Sequence, residues 1–145
     1  MRLLWLLCVA LLLTGCPTGD GSTITIPPDV PPSTIPDGAT VALLSGTWEG
    51  ISTTSTGVQD YLTFEFYPSG DYLRVRVSLN HSLLATPYAN VTADDRIGVD
   101  AADLQGNSGL FDATLDRIAL RIDGTFATSN GSFDDTGDFY LEKQL

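Results

Sequence analysis

The sequence is poor in the residues that metal and thiol chemistry require. Among 145 residues there is one histidine, and both cysteines lie within the first sixteen positions. A multi-histidine metal site is therefore excluded, and the chain after Cys16 has no disulfide, thiolate ligand or cysteine nucleophile. Basic residues are also scarce, with 7 Lys and Arg against 18 Asp and Glu. This balance argues against nucleic acid as a partner, because such binding depends on Lys and Arg contacts to phosphates.

The N-terminus carries a short apolar run. Arg2 precedes eleven uninterrupted apolar residues, which occupy positions 3–13. A run of this length does not span a bilayer, which takes about 20 residues, but it is typical of a signal-peptide core. The residues that close it, Leu13-Thr14-Gly15-Cys16, resemble the lipobox of bacterial lipoproteins. An ordinary secretory signal that ends in cysteine is the alternative.

The lipobox resemblance implies an acylated N-terminus. In that family the peptide is cut before the cysteine, so Cys16 would carry thioether-linked diacylglycerol and an acylated amino group. Two or three acyl chains give stable membrane anchoring. Pro17 rather than aspartate follows, which by the family's sorting rule favours the outer membrane. We therefore expect a lipid-anchored protein of the bacterial cell envelope.

Proline dominates the next segment. Residues 17–40 hold six of the eight prolines of the chain, and proline fits neither a helix interior nor a central strand. We expect an extended spacer, while a proline-rich docking ligand is the rival interpretation. The predicted organisation is a signal peptide over residues 1–15, an acylated cysteine and tether over 16–40, and a β domain over 41–145.

After Thr40 the sequence changes to short alternating runs broken by Gly, Asn and Asp, which is typical of antiparallel strands. No window shows a sustained helical period. A turn at Ser69-Gly70 would join two such runs into a hairpin. The apolar pairs in that register are Phe66 with Leu73, Phe64 with Val75 and Leu62 with Val77, and Glu65 meets Arg74 on the other face.

A meander is expected near the C-terminus. Turning at Asp116-Arg117 pairs Leu115 with Ile118, Ala113 with Leu120 and Phe111 with Ile122, and it sets Asp112 beside Arg121. Turning at Asn130-Gly131, a strong hairpin dipeptide, pairs Ile122 with Phe139 and Leu120 with Leu141. A bulge or longer loop is expected at the tip, because this register sets Asp135 opposite Phe126 and Asp138 opposite Asp123.

Two weaker strands and a first strand complete the domain. Ala89, Val91 and Ala93 can face Ile97, Val99 and Ala101 across a turn at Asp94-Asp95-Arg96, and Gly46–Ile51 forms the first strand. Eight antiparallel strands in about a hundred residues fit a small closed up-and-down barrel, which also removes exposed edges. A β-sandwich is the alternative fold.

Three short motifs resemble those of lipocalin-like barrels. Gly46-Thr47-Trp48 is similar to the Gly-x-Trp of the first lipocalin strand, in which the tryptophan closes one barrel end. Gly124-Thr125-Phe126 and the run over residues 137–143 are similar to the last strands of short barrels found in bacterial lipoproteins. The resemblance covers about residues 44–143 and implies that Trp48 plugs the barrel.

The predicted core is large for so small a barrel. Ligand-contacting or barrel-closing roles fall to Trp48, Phe64, Phe66 and Phe139, and these many large side chains suggest a filled interior. The full core comprises Trp48, Leu62, Phe64, Phe66, Leu73, Val75, Val77, Phe111, Leu115, Leu120, Ile122, Phe126, Phe139 and Leu141.

Other constellations give weaker signals. Asp134, Asp135 and Asp138 could offer oxygens to calcium, but they lack the spacing of an EF-hand loop. His81 has no nucleophile elbow to serve, and solvated turns are the commoner setting for such residues. The outward tyrosines suggest an aromatic surface, although tyrosine is also an ordinary strand former.

The sequence therefore predicts a non-enzymatic envelope lipoprotein without a cofactor. Its barrel would bind a partner protein outside or a small apolar ligand inside. The alternatives are a barrel-mouth hydrolase or isomerase that uses acidic residues, and a calcium-binding module.

Overall fold

The computed structural model describes residues 31–102, 108–129 and 134–145. Within these ranges the chain forms one helix and nine strands. The helix is α1 (Gly38–Leu44), and the strands are β1 (Gly46–Thr54), β2 (Gln59–Ser69), β3 (Tyr72–Leu79), β4 (Ser82–Ala85), β5 (Tyr88–Val91), β6 (Arg96–Ala102), β7 (Ser108–Asp116), β8 (Arg121–Ser129) and β9 (Asp134–Lys143).

Eight of the strands close into an antiparallel barrel. The ring runs β1, β2, β3, β5, β6, β7, β8 and β9, and β9 pairs with β1. The prediction of an eight-stranded barrel is confirmed and the β-sandwich is wrong, because a single sheet closes on itself. A lipocalin-like barrel fits this arrangement.

The ninth strand, β4, was not predicted. It pairs with β3 at Val77–Leu79, while β5 pairs with the same strand at Leu73 and Arg74. The two short strands therefore lie end to end along β3. Thr86 and Pro87 separate them, and proline has no N–H for a ladder hydrogen bond. The Pro87 carbonyl still accepts from the Val75 N–H at 3.0 Å.

The β2–β3 hairpin forms, but its predicted register is wrong by two residues. Phe66 pairs with Val75 and Phe64 with Val77, so Glu65 meets Arg76 rather than Arg74. Ser69 pairs with Tyr72, which leaves Gly70 and Asp71 as a two-residue loop. Gly70 has a φ of 62°, and glycine at the first loop position fits a type II′ hairpin turn. The turn therefore sets the register.

The β7–β8 register also differs from the prediction. Leu115 pairs with Ile122 and Asp116 with Arg121, so residues 117–120 form the turn. The Asp116 carboxylate accepts from the N–H groups of Ala119 and Ile118, at 2.9 and 2.8 Å. These two bonds, that from Ala119 first, hold the pKa of Asp116 below its usual value. The predicted contact of Asp112 with Arg121 is wrong.

Strand β9 is shifted by two residues relative to the prediction. Ile122 pairs with Leu141, and Gly124 pairs with Phe139. The shift sets Asp138 opposite Thr125 instead of opposite Asp123, which removes the predicted carboxylate clash. The expected turn at Asn130-Gly131 lies outside the described residues. Ser129 pairs with Asp134, so the connection is longer than a two-residue turn.

Strands β5 and β6 pair as predicted, but their register is shifted by two residues from the one that a turn at Asp94-Asp95-Arg96 implies. Ala89 pairs with Val99 and Val91 with Ile97, and all four side chains are buried. Ala93 is exposed after the end of β5.

Thirteen of the fourteen predicted core residues are buried. Leu120 is the exception: it is partly buried and has a φ of 51°, because it ends the β7–β8 turn. Leu44, which was not predicted, is fully buried.

Helix α1 was not predicted. It begins at Gly38, inside the segment interpreted as tether, and Asp37 is its N-cap. The Asp37 carboxylate accepts from the Thr40 N–H at 2.8 Å and from the Thr40 hydroxyl at 3.0 Å. These bonds hold the pKa of Asp37 below its usual value, as expected for an N-cap aspartate. No helix in the described ranges is long and apolar enough to cross a membrane.

Candidate functional site

The barrel interior contains a cluster of phenylalanine rings. The Phe64 ring centroid lies 5.2 Å from Phe111, 5.8 Å from Phe139 and 5.9 Å from Phe66. Phe111 also lies 5.7 Å from Phe139 and 6.3 Å from Phe126. All five side chains are buried. Because the rings contact one another across the barrel, they fill the interior between β2, β7, β8 and β9.

Helix α1 and Trp48 close one end of the barrel, which we call the closed end. Trp48 is fully buried, and its indole N–H donates to the Leu44 carbonyl at 2.7 Å. The Lys143 ammonium group donates to the Leu43 carbonyl and lies 5.7 Å from the Trp48 ring centroid. These contacts satisfy carbonyls at the end of α1.

Arg117 fixes the start of α1 to the closed end. Its guanidinium contacts the Asp95 carboxylate at 2.6 Å and donates to the Thr40 hydroxyl at 2.9 Å. The hydrogen bond to Asp95 raises the pKa of Arg117, so its charge persists at any physiological pH. Helix α1 is thus held at both its start and its end.

The three candidate calcium aspartates lie on β9. The Asp135 carboxylate accepts from the Thr136 N–H at 2.8 Å and from the Ser55 hydroxyl at 3.3 Å. Asp138 is exposed, and the side chain of Asp134 lies outside the described set. Among the described residues no group of three or more His, Cys, Asp or Glu side chains is placed to hold a metal ion.

His81 lies in the two-residue loop between β3 and β4. It is exposed and has a φ of 66°, next to Asn80 with a φ of 47°. Two positive φ values fit a type I′ hairpin turn. The His81 ring lies 4.9 Å from that of Tyr61. This setting gives it a turn-forming role.

Tyrosine and arginine alternate on the outer face of β2, β3 and β5. The Tyr72 and Tyr88 ring centroids lie 5.7 Å apart, and the Arg74 guanidinium carbon lies 4.1 Å from the Tyr88 ring. Arg76 lies 6.0 Å from the Tyr67 ring and forms an ion pair with Glu65. The aromatic surface predicted from the sequence therefore lies outside the barrel, but its rings are half-buried against arginine.

A second outward feature is a concavity on β5 to β9, which we call the outer groove. It has a volume of about 760 Å³, within the range of ordinary ligand sites. Its outward lining alternates along each strand with the buried core. The outward residues are Asn90, Gly98, Asp100, Leu110, Asp112, Thr125, Ala127, Thr136 and Asp138.

The outer groove is acidic. Asp112 forms an ion pair with Arg96 at 2.6 Å, and both side chains are more than half exposed. Asp100 and Asp138 have no ion-pair partner among the described residues, and Arg and Lys are absent from the lining.

Sequence reasoning missed both the outer groove and the contacts of Trp48, Lys143 and Arg117 that hold α1 on the barrel. The alternation of exposed and buried residues in β6 to β9 placed the groove side chains on the outer face. The concavity of that face depends on how the sheet curves. The Asp37-x-x-Thr40 spacing is an N-cap signal that the sequence offered for α1.

No protein-family model and no curated protein matches the chain. Solved structures do match it. A redesigned β barrel has 21% sequence identity and a TM-score of 0.59, with 72% of this chain and 95% of that chain covered. A de novo designed fluorescence-activating β barrel has 14% identity and a TM-score of 0.55, with 72% and 97% covered. The protein EF1p2_mFAP2b bound to DFHBI has 15% identity and a TM-score of 0.54, with 71% and 95% covered. These likenesses show the fold.

Proposed function

We propose that this chain is a lipid-anchored protein of the bacterial envelope, with a non-enzymatic barrel that presents its outer surface to a partner protein. The filled interior is the observation that carries the proposal. Five buried phenylalanines contact one another there, and α1 covers one end. The outer face is left as the surface available to a partner.

The anchor follows from the lipobox resemblance at Leu13-Thr14-Gly15-Cys16. The chain enters the barrel through α1, at the closed end, so a lipid on Cys16 would tether that end toward the membrane. The outer groove lies on the side wall, where a tethered barrel would keep it accessible.

Carriage of a small apolar ligand inside the barrel is the second candidate. Its support is the aromatic interior, together with the match to the protein EF1p2_mFAP2b bound to DFHBI. That interior would have to open by moving phenylalanine rings, and close packing makes such movement costly.

Native mass spectrometry of the full chain, extracted from bacterial membranes in detergent, distinguishes these candidates. We expect the native and denatured masses of the protein to agree, because the interior is filled. The covalently attached acyl chains contribute equally to both masses. A reproducible extra mass that is lost on denaturation would contradict a filled barrel and would identify the ligand.

Lipidation of Cys16 has a direct test. Cells that express the wild-type chain should incorporate labelled palmitate into it, and a Cys16→Ser variant should incorporate none, because serine cannot form the thioether. A Cys8→Ser variant is the matched control and should be labelled like the wild type. Palmitate on the Cys16→Ser protein would falsify the lipobox interpretation.

The acidic residues of β9 provide a test of the calcium alternative. We expect millimolar calcium to change the thermal midpoint of the wild type by less than about 2 °C, because the described carboxylates are not grouped to hold a metal ion. A specifically bound ion would instead stabilise the fold by mass action and raise the midpoint. The Asp134→Ala/Asp135→Ala/Asp138→Ala variant should give the same small response. A larger rise that this variant abolishes would establish a calcium site.

A further inference from the structure

The outer groove is long rather than deep. One row of outward residues crosses five neighbouring strands through the cross-strand pairs Asn90 with Gly98, Gly98 with Asp112, Asp112 with Thr125, and Thr125 with Asp138. Neighbouring strands lie about 4.8 Å apart, so the row extends over about 19 Å. Gly98 and Ala127 contribute little side-chain volume, which keeps the floor low. The shape suits an extended chain better than a compact small molecule.

The charge of the groove has one sign. Asp100, Asp112 and Asp138 contribute carboxylates, and within the described part of the chain the only arginine paired with one of them is Arg96, at Asp112. The other basic residues of the described chain are engaged elsewhere. Arg76 pairs with Glu65, Arg117 with Asp95 and Arg121 with Asp123, while Arg74 lies over the Tyr88 ring and Lys143 donates to the Leu43 carbonyl. A cleft lined by one sign of charge concentrates ligands of the opposite sign. The groove therefore favours a cationic ligand.

An apolar wall stands beside these carboxylates. Leu110 is 56% exposed, and it pairs with Asp100 on one side and with Ala127 on the other. Lysine and arginine combine an apolar stem with a charged head. The aliphatic part of such a side chain could pack on Leu110 and Ala127 while its charged group contacts the Asp100 carboxylate. These three residues therefore complement one lysine or arginine side chain.

We propose that the outer groove binds an extended, basic polypeptide segment of the partner protein, an inference that rests on the proposed function. Asn90, Thr125 and Thr136 add side chains that both donate and accept hydrogen bonds. Peptide groups use both capacities, whereas a polyamine is a donor only. The lining therefore matches a polypeptide better than a small polycation.

The test uses an eight-residue peptide of alternating lysine and alanine, labelled for fluorescence anisotropy, and the full chain in detergent. We expect saturable binding that weakens with salt. A peptide with glutamine in place of lysine should bind about tenfold more weakly. The Asp100→Asn/Asp138→Asn variant should weaken binding of the lysine peptide about fivefold.

Two controls separate the groove from the general acidity of the chain. Glu49→Gln/Asp71→Asn removes the same number of charges outside the groove and should weaken binding less than twofold. Ala127→Trp fills the groove without changing charge, and it should weaken binding about as much as the two groove substitutions. A photo-crosslinking group on the peptide should attach near Leu110.

Three results would overturn the inference. Equal loss with the groove pair and the control pair would mean that net charge alone attracts the peptide. Spermidine that binds as tightly as the peptide and displaces it would make the ligand a small cation. A partner protein that crosslinks to another face, with no binding of the lysine peptide, would remove the groove inference and leave the proposed function standing.

Discussion

Replacing Phe64 by alanine is expected to lower the free energy of unfolding by about 3–5 kcal/mol. The Phe64 side chain is 1% exposed and contacts the rings of Phe66, Phe111 and Phe139. Its removal would leave a cavity in the middle of that cluster, which the neighbouring rings, anchored on β2, β7 and β9, cannot readily fill. Urea unfolding followed by tryptophan fluorescence measures the change, because Trp48 reports on the barrel.

Tyr67→Ala is the matched control for this prediction. Tyr67 lies on the same strand but faces outward, where it is half-buried beside Arg76. We expect a loss of less than about 1.5 kcal/mol, since the site is open to water and leaves no sealed cavity. A loss below about 1 kcal/mol for Phe64→Ala would show that its ring is loosely packed. The interpretation of the interior as filled would then be wrong. The reason for assigning partner binding to the outer surface would fall with it.

Alternation in the sequence identified which side chains face inward but left the pairing of neighbouring strands open. In β2 and β3 a shift of two residues moves Phe64 from Val75 to Val77 and keeps both faces unchanged. Glu65 finds an arginine in either register, because Arg74 and Arg76 both face outward. Neither the apolar pattern nor the charge pair distinguishes the two, and the backbone of Gly70 does so instead.

The β7–β8 turn shows a different limit of sequence reasoning. Ile118 was predicted to pair with Leu115, as its apolar character suggests, yet it is 97% exposed in the turn. The Asp116 side chain bonds the N–H groups of Ile118 and Ala119, which makes a four-residue turn more favourable than a tight one. Local side-chain bonding thus outweighed the apolar pattern at this position.

Helix α1 and the outer groove depend on tertiary contacts. A seven-residue helix is too short for hydrophobic periodicity to reveal it, and α1 owes its place to Trp48, Lys143 and Arg117 on the barrel. The groove is made by residues that look like ordinary solvent-facing positions in sequence. Only the curvature of the sheet brings Asp100, Leu110 and Asp138 into one concavity.

Gly50→Ala is expected to destabilise the barrel by more than about 3 kcal/mol. A Cβ atom at Gly50 would lie 1.9 Å from the Tyr140 carbonyl oxygen and 3.0 Å from the Leu141 Cα. Both contacts are backbone atoms of β9, so no side-chain rotation relieves them. The β1 and β9 strands would have to separate where the ring closes. Low soluble yield, or a urea midpoint far below that of the wild type, is the expected observation.

Gly98→Ala is the matched control, because Gly98 also lies within a barrel strand but its nearest neighbouring atom would be 3.9 Å from the new Cβ. We expect its stability to stay within about 1 kcal/mol of the wild type. Equal stability of both variants would show that β1 and β9 are not in the tight contact that closes the barrel.

Strand glycines at tight approaches allow the bending that barrel closure requires. Gly137 makes a similar approach, because a Cβ atom added there would lie 2.0 Å from the Thr53 carbonyl oxygen. Gly137 also lines the outer groove. The backbone approaches that close the barrel therefore also help to shape the surface proposed to bind a partner.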